Sequence, residues 1–136
     1  MKAYKLIKAD FDIPAVQIHL HKIIPIGAGL GGGSSDATYT LKVLNALFEL
    51  DISDDKLEDY ASQLGSDCPF FVKNKPVVAT GTGTDFKSSS LDLAGYYLGL
   101  ASPGIHIGTK EAYAGVKPAL SKKKVSTLIV NSPDTW

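Results

Sequence analysis

The run Pro25-Ile26-Gly27-Ala28-Gly29-Leu30-Gly31-Gly32-Gly33-Ser34-Ser35-Asp36 puts five glycines into the seven positions from 27 to 33. Backbone without Cβ atoms takes φ > 0 freely and lets a ligand approach the main chain closely. Two hydroxyls and a helix-like sequence follow at once. Amides fanned around a loop that opens into a helix N-terminus form an anion cradle, and phosphate is the anion most often found in one. A flexible linker is a poor account of this run, because it lies between an alternating segment and a strongly amphipathic one.

The flanking segments read as mixed α/β, which sets the expected fold class as α/β (α+β). Tyr4, Ile7 and Lys8 have helical spacing within Ala3 to Ala9. Ala15 to Ile23 alternates apolar and polar residues, the period of a half-buried strand. From Ser34 to about Leu50, Ala37, Leu41, Leu44, Leu47 and Phe48 recur at three- and four-residue steps and predict an amphipathic helix. Ser53 opens a second helix with the stripe Leu57, Tyr60, Ala61 and Leu64, and Gly65 stands where a C-terminal cap belongs. Short strands are expected at Pro69 to Val72, Val77 to Thr80 and Tyr96 to Ala101, with a turn at Gly81-Thr82-Gly83-Thr84. A short helix is expected near Lys110 to Ala114.

The glycine loop admits two readings. Gly27-x-Gly29-x-x-Gly32 satisfies the dinucleotide fingerprint, and Asp51 lies about 20 residues on, where a ribose-binding acid belongs. Against it, Pro25 sits inside the turn, and Ser34 and Ser35 are placed to donate to phosphate or to ligate magnesium. No Gly-Lys-Ser/Thr follows, so the loop is not of the Walker type. The second constellation is Leu64-Gly65-Ser66-Asp67-Cys68-Pro69-Phe70-Phe71. A carboxylate wedged between a helix-ending glycine and an apolar run can accept a proton from a hydroxyl that attacks a phosphoryl group. It can equally brace the turn by accepting bonds from nearby amides.

Composition narrows the classes. Fourteen basic residues balance fourteen acidic ones in 136 residues, so no global field draws nucleic acid or an anionic membrane. The single cysteine, Cys68, excludes an intramolecular disulfide framework and fits a reducing compartment. No apolar stretch reaches the roughly 18 residues of a membrane span, and a secretory pattern is not evident. A cytoplasmic setting is therefore expected. His19, His21 and His106 have no Cys or carboxylate at ligand spacing, so a structural metal is not expected. Lys122 to Lys124 read as a solvated loop face.

Pro25-x-Gly27-Ala28-Gly29-Leu30-Gly31-Gly32-Gly33-Ser34-Ser35-Asp36-Ala37 resembles the second signature of the GHMP kinases, the group that includes galactokinase, homoserine kinase and mevalonate kinase. His21-Lys22-x-Ile24-Pro25, Leu44-Asn45 and Leu64-Gly65-x-Asp67-x-Pro69-Phe70-Phe71 are similar to one branch of that family, and the resemblance runs from about Val16 to Tyr113. It implies ATP, with Mg2+, as phosphoryl donor. The acceptor implied is a small molecule, the 2-hydroxyl of a cytidine diphosphate-linked methylerythritol in non-mevalonate isoprenoid-precursor biosynthesis. Pro25, Ile26, Gly27, Ala28, Gly29, Leu30, Gly31, Gly32, Gly33, Ser34 and Ser35 would wrap the ATP phosphates, with Lys22 close to the nucleotide. Asp67 matches the catalytic aspartate. Ser102-Pro103-Gly104-Ile105-x-Ile107-x-Thr109 is similar to a Pro-Gly-x-x-x-x-Thr segment of the family, which puts Thr109 at the substrate and Tyr113 against its cytosine.

The resemblance also implies a two-domain kinase, with an N-terminal α/β domain containing a right-handed crossover and a ferredoxin-like C-terminal domain. Residues 1–76 would be the second half of the first domain and 77–136 the opening of the second. The family's Pro-x-Lys-x-Asn signature, whose lysine partners the aspartate, has no counterpart here. The aromatic and histidine that complete its cytosine pocket, and its C-terminal glycine-rich loop, are likewise without counterparts. The expectation is a central fragment that is inactive alone and self-associates through exposed sheet edges. Two alternatives stay open: another GHMP kinase acting on homoserine, mevalonate or a sugar, and a non-catalytic nucleotide- or dinucleotide-binding module.

Overall fold

A computed structural model describes residues 1–24, 26–101, 103–105, 107–117, 119, 123–131 and 133–136. The chain divides into two units, one of Met1–Lys75 with Ala79–Phe86 and the other of Pro76–Val78 with Lys87–Trp136.

The first unit holds four helices: α1 (Lys2–Asp10), α2 (Gly32–Leu47), α3 (Asp54–Ser62) and α4 (Phe70–Lys73). α1 turns Ala3 and Ile7, one helical turn apart, into the core. Its exit is folded back by Lys8 Nζ, which donates to the Ile13 carbonyl at 2.8 Å, and by Tyr4 OH on the Pro14 carbonyl at 3.1 Å. α2 buries Thr38, Leu41 and Leu44. Of the expected stripe, Leu47 is instead exposed, and the fully buried Thr38 lies on the inner face. α3 opens as predicted on Ser53, whose Oγ accepts from the Lys56 amide at 3.3 Å, and Asp54 and Asp55 suit the positive end of its dipole. It buries Leu57, Tyr60 and Ala61 against the same core. Burial, followed by the hydrogen bond and charge of Asp10, pushes the Tyr60 phenol up to about 12.

Between α2 and α3 the chain reverses through Glu49 (φ 50°) and Asp51 (φ 52°), both left-handed. Asn45 holds this turn with a pair of 3.0 Å bonds to the Ile52 amide and carbonyl, offsetting the cost of two non-glycine residues at positive φ. α4 is tied to α3 by Lys73, which bonds Glu58 at 2.9 Å and Asp55 at 3.3 Å.

Several expected elements take another form. Ala15 to Ile23 is not a strand, because no other segment among the described residues pairs with it, and an extended chain without a ladder is not a sheet. Its Ile18, Leu20 and Ile23 are exposed. Pro69 to Val72 is the start of α4: Pro69 has φ −57° and ψ −33°, a proline-compatible first turn, and tertiary packing overrides the strand preference of Phe70, Phe71 and Val72. Gly65 is not a left-handed cap, although its amide does donate to the Ala61 carbonyl at 3.3 Å. Tyr96 to Ala101 is irregular.

The hairpin of β1 (Val77–Thr80) and β2 (Asp85–Ser88) is the one sheet among the described residues. β1 stands where its apolar run predicted it, and the turn uses Gly81 (φ 65°) and Gly83 (φ 91°). β2 falls just beyond that turn, where no strand was expected, because its pairing partner rather than its own composition makes it a strand. The second unit contains α5 (Thr109–Ala114), α6 (Val125–Leu128) and a 3-10 turn (Pro133–Thr135). None of its described residues is buried. The chain is thus of mixed helix and small-sheet type, and no helix among the described residues is long and apolar enough to cross a membrane.

Candidate active site

The glycine loop alternates left-handed residues at Gly27 (φ 79°), Gly29 (φ 74°) and Gly31 (φ 67°), the backbone pattern of an anion-binding nest. Gly31 is the N-cap of α2, and no side chain caps that end. The first intrahelical bond runs from the Ser35 amide to the Gly31 carbonyl at 2.9 Å. Helix geometry therefore leaves the amides of Gly32, Gly33 and Ser34 without intrahelical acceptors. Ile26 and Leu30 are exposed, Ala28 is half-buried, and Ser34 and Ser35 are half-buried in the first turn.

Lys22 joins this end of the helix. Its Nζ lies 2.5 Å from Asp36 Oδ2, and a Cβ built on Gly32 would stand 3.4 Å from that same ammonium. A cation beside a helix N-terminus is disfavoured by the macrodipole, and Asp36 offsets that. The ammonium is thereby held beside three open amides, an arrangement suited to a polyanion.

Asp67 occupies the turn after α3. Its carboxylate is exposed, and Ser66 Oγ donates to Oδ1 over a long 3.4 Å. The residues that follow it, Cys68 and Pro69, are buried. Two contacts fasten this segment to the glycine loop's helix. Thr38 Oγ1 donates to the Cys68 carbonyl at 2.8 Å, and the Phe71 ring lies so close to Gly31 that a Cβ there would meet its Cζ at 3.1 Å. A third, Lys42 Nζ on the Val72 carbonyl at 2.8 Å, extends the seam.

Of the residues named from sequence, Lys22, Gly31, Gly32, Gly33, Ser34 and Ser35 meet at the start of α2, with Gly27 and Gly29 leading into it. Asp67 is tied in through its neighbours. Thr109 and Tyr113 belong to α5 in the other unit, where Tyr113 is 74% exposed. Pro25, Ser102, His106 and Lys122 lie outside the described residues. Asp51, the ribose ligand of the dinucleotide alternative, follows the opposite end of a 16-residue helix, about 24 Å from the loop by helix rise. That alternative loses its acidic partner. Among the described residues no group of His, Cys, Asp and Glu could hold a metal ion. Sequence reasoning missed Asp36, Thr38 and Phe71 as parts of this arrangement. The helical period that places Leu41 and Leu44 inward also places Thr38 there, which was the available signal for it.

An uncapped glycine-rich loop thus opens α2, and the carboxylate-bearing turn of Asp67 is fastened to that same helix through Cys68 and Phe71. The model of the family described as GHMP kinases N terminal domain matches residues 1–75, more than half of the chain, which therefore belongs to the GHMP kinases. Its relatives include three proteins named 4-diphosphocytidyl-2-C-methyl-D-erythritol kinase. The one from Azobacteroides pseudotrichonymphae is 50% identical over 137 residues, covering all of this chain and 51% of the relative. That from Bacteroides fragilis is 45% identical over 136 residues, again all of this chain and 50% of the relative. That from Cytophaga hutchinsonii is 44% identical over 137 residues, all of this chain and 51% of the relative. The chain spans about half the length of the curated relatives it matches.

Proposed function

We propose that this chain carries the phosphate-binding loop and catalytic aspartate of a kinase that phosphorylates the 2-hydroxyl of 4-diphosphocytidyl-2-C-methyl-D-erythritol with ATP. The observation that carries the proposal is the seam along α2, where the uncapped glycine loop and the Asp67 turn are fastened to one helix. The similarity to relatives bearing that name supports the choice of acceptor.

In this reading the amides from Gly27 to Ser35 bind the ATP phosphates, and Lys22 neutralises part of their charge. The ammonium exchanges some of its bond to Asp36 for a phosphate oxygen. Asp67 takes the proton from the acceptor hydroxyl as its oxygen bonds to the γ-phosphorus and the bond to the ADP oxygen breaks. The hydroxyls of Ser34 and Ser35 are the groups that would hold Mg2+, which when bound spreads the charge of the β- and γ-phosphates. Tyr113 stacks on the cytosine, worth roughly 1–3 kcal/mol, with Thr109 beside the substrate. The division into domains at 76/77, a cytoplasmic setting and self-association through exposed sheet edges belong to the same proposal. Light scattering that shows a monomer at all concentrations refutes the last.

The decisive test is Asp67→Asn in the protein at the length of its relatives. ADP release with this acceptor should fall about 10²- to 10⁴-fold, while ATP affinity stays within about threefold, because the amide cradle does not include the carboxylate. Undiminished turnover would falsify the assignment. Preference of the wild type for homoserine, mevalonate or a sugar would move it to another branch of the family.

A further inference from the structure

Among the described residues of the first unit, Thr38 is the polar side chain that is buried completely. Its hydroxyl donates to the Cys68 carbonyl at 2.8 Å, thirty positions further along the chain. That carbonyl also accepts the Phe71 amide at 3.0 Å, so both of its lone pairs are used. A buried hydroxyl aimed at a backbone carbonyl is a directional tie, unlike the apolar contacts around it. Leu41 and Leu44 would accept small slips of the neighbouring segment; a 2.8 Å hydrogen bond does not. The tie lies one residue from Asp67, whose Cα is about 3.8 Å from that of Cys68. Along α2 it lies one turn, about 4.5 Å of rise, from Ser35.

Resting on the kinase reading, we infer that Thr38 is a positioning residue: its hydroxyl sets where the Asp67 carboxylate stands relative to the phosphate loop. The carboxylate is exposed and has only the long bond to Ser66 Oγ, so its own contacts do not place it. Its position comes from the backbone on either side. On the Gly65 side, the Cys68 amide closes a turn onto the Gly65 carbonyl at 3.1 Å, which shapes the turn without docking it. Docking on α2 falls to Thr38, with Phe71 against Gly31 and Lys42 on the Val72 carbonyl further along. Lys42 reaches a carbonyl five residues from Asp67 and serves as a control of similar chemistry. Phosphoryl transfer depends on alignment, and a misplacement of about 1 Å can cost about 10²-fold in rate.

The experiment is steady-state kinetics of the full-length protein with ATP and 4-diphosphocytidyl-2-C-methyl-D-erythritol, alongside thermal melting. Variants are Thr38→Val, Thr38→Ser, Thr38→Cys and Lys42→Met. Thr38→Val should lower kcat about ten- to a hundredfold and leave KM for ATP within about twofold. Thr38→Ser, which keeps the donor, should restore kcat. Lys42→Met should lower the melting temperature but hold kcat within about threefold. If Thr38→Val does not fold, Thr38→Cys carries the comparison: its weaker, longer donor bond should give a kcat below that of Thr38→Ser. The role is overturned if the Val or Cys variant matches wild type in kcat, if Ser falls as far as Val, or if Lys42→Met loses as much kcat as Thr38→Val. No turnover by the wild type would instead overturn the kinase reading, and this role with it.

Discussion

Replacing the glycines of the loop one at a time by alanine should give stability changes of opposite sign at Gly31 and Gly33, two positions apart. Gly31 has φ 67°, and an added Cβ would stand 3.1 Å from Phe71 Cζ and 3.4 Å from its Cε2. An L-residue in the left-handed region costs about 1–2 kcal/mol. The ring cannot yield freely, because it packs edge-on against Phe70 at 5.0 Å between centroids, so the crowding adds about 1 kcal/mol. Gly31→Ala should therefore destabilise by about 2–3 kcal/mol. Gly29 has φ 74° with nothing within 4 Å of its Cβ position, so Gly29→Ala should cost only the conformational part, about 1–2 kcal/mol. Gly33 is helical with open space around it, and alanine there should stabilise by about 0.5–1 kcal/mol.

Circular dichroism melting of the three variants reads this order, at roughly 3–5 °C per kcal/mol for a chain of this size. Phe71→Leu should relieve part of the Gly31→Ala cost, and a double-mutant cycle measures how much. The same series separates stability from binding. A methyl on Gly33 stands among the amides that would receive phosphate, so Gly33→Ala should melt higher yet bind ATP more weakly by isothermal titration. Gly31→Ala melting at or above Gly33→Ala would refute the reasoning about the cap. Equal losses at Gly29 and Gly31 would show that the Phe71 contact carries no weight.

Lys22→Met removes the ammonium beside the α2 N-terminus and should weaken ATP binding about tenfold, the worth of one charge-assisted contact; titration with unchanged affinity would exclude contact with the nucleotide. Tyr60 titrates at about 12 in the fold against an ordinary 10, so the fold favours its neutral form. Its contribution is complete below pH 10 and is lost as pH rises toward 12, about 3 kcal/mol in all. Denaturant unfolding across that range should lose this increment, and Tyr60→Phe should flatten the limb; a flat wild-type profile would contradict the burial of the phenol.

Helices were legible because their signals are local. Ser53 with its capping oxygen, and Leu57, Tyr60 and Ala61 at helical steps, lie within nine residues and specify α3 without reference to anything distant. Strands were less legible, Val77 to Thr80 excepted, for the converse reason. A strand exists only when another backbone lies alongside it. Ala15 to Ile23 has the alternating pattern and no pairing partner among the described residues, whereas Asp85 to Ser88 has no pattern worth the name and pairs with Val77 to Thr80. Pro69-Phe70-Phe71-Val72 went the other way for a third reason. The proline's fixed φ suits a first helical turn, and Val72 reaches the core from a helix as well as it would from a strand.

The same division between local and distant runs through the site. The cradle is a property of consecutive residues, since glycines at 27, 29 and 31 and an uncapped helix start need no partner to be recognised. The ties to it are long-range pairs. Asp36 meets Lys22 across fourteen positions, and Thr38 meets Cys68 across thirty, with no spacing rule to link them. Polarity also hid Thr38. A threonine between Ala37 and Leu41 interrupts an apolar stripe and reads as surface, yet its position three residues before Leu41 fixes it on the inner face. A hydroxyl on a buried face must find an acceptor, because an unpaired one costs roughly 1–3 kcal/mol. A polar residue standing in phase with a core stripe is thus a signal that some distant backbone carbonyl comes to meet it. Here that carbonyl belongs to the residue after Asp67.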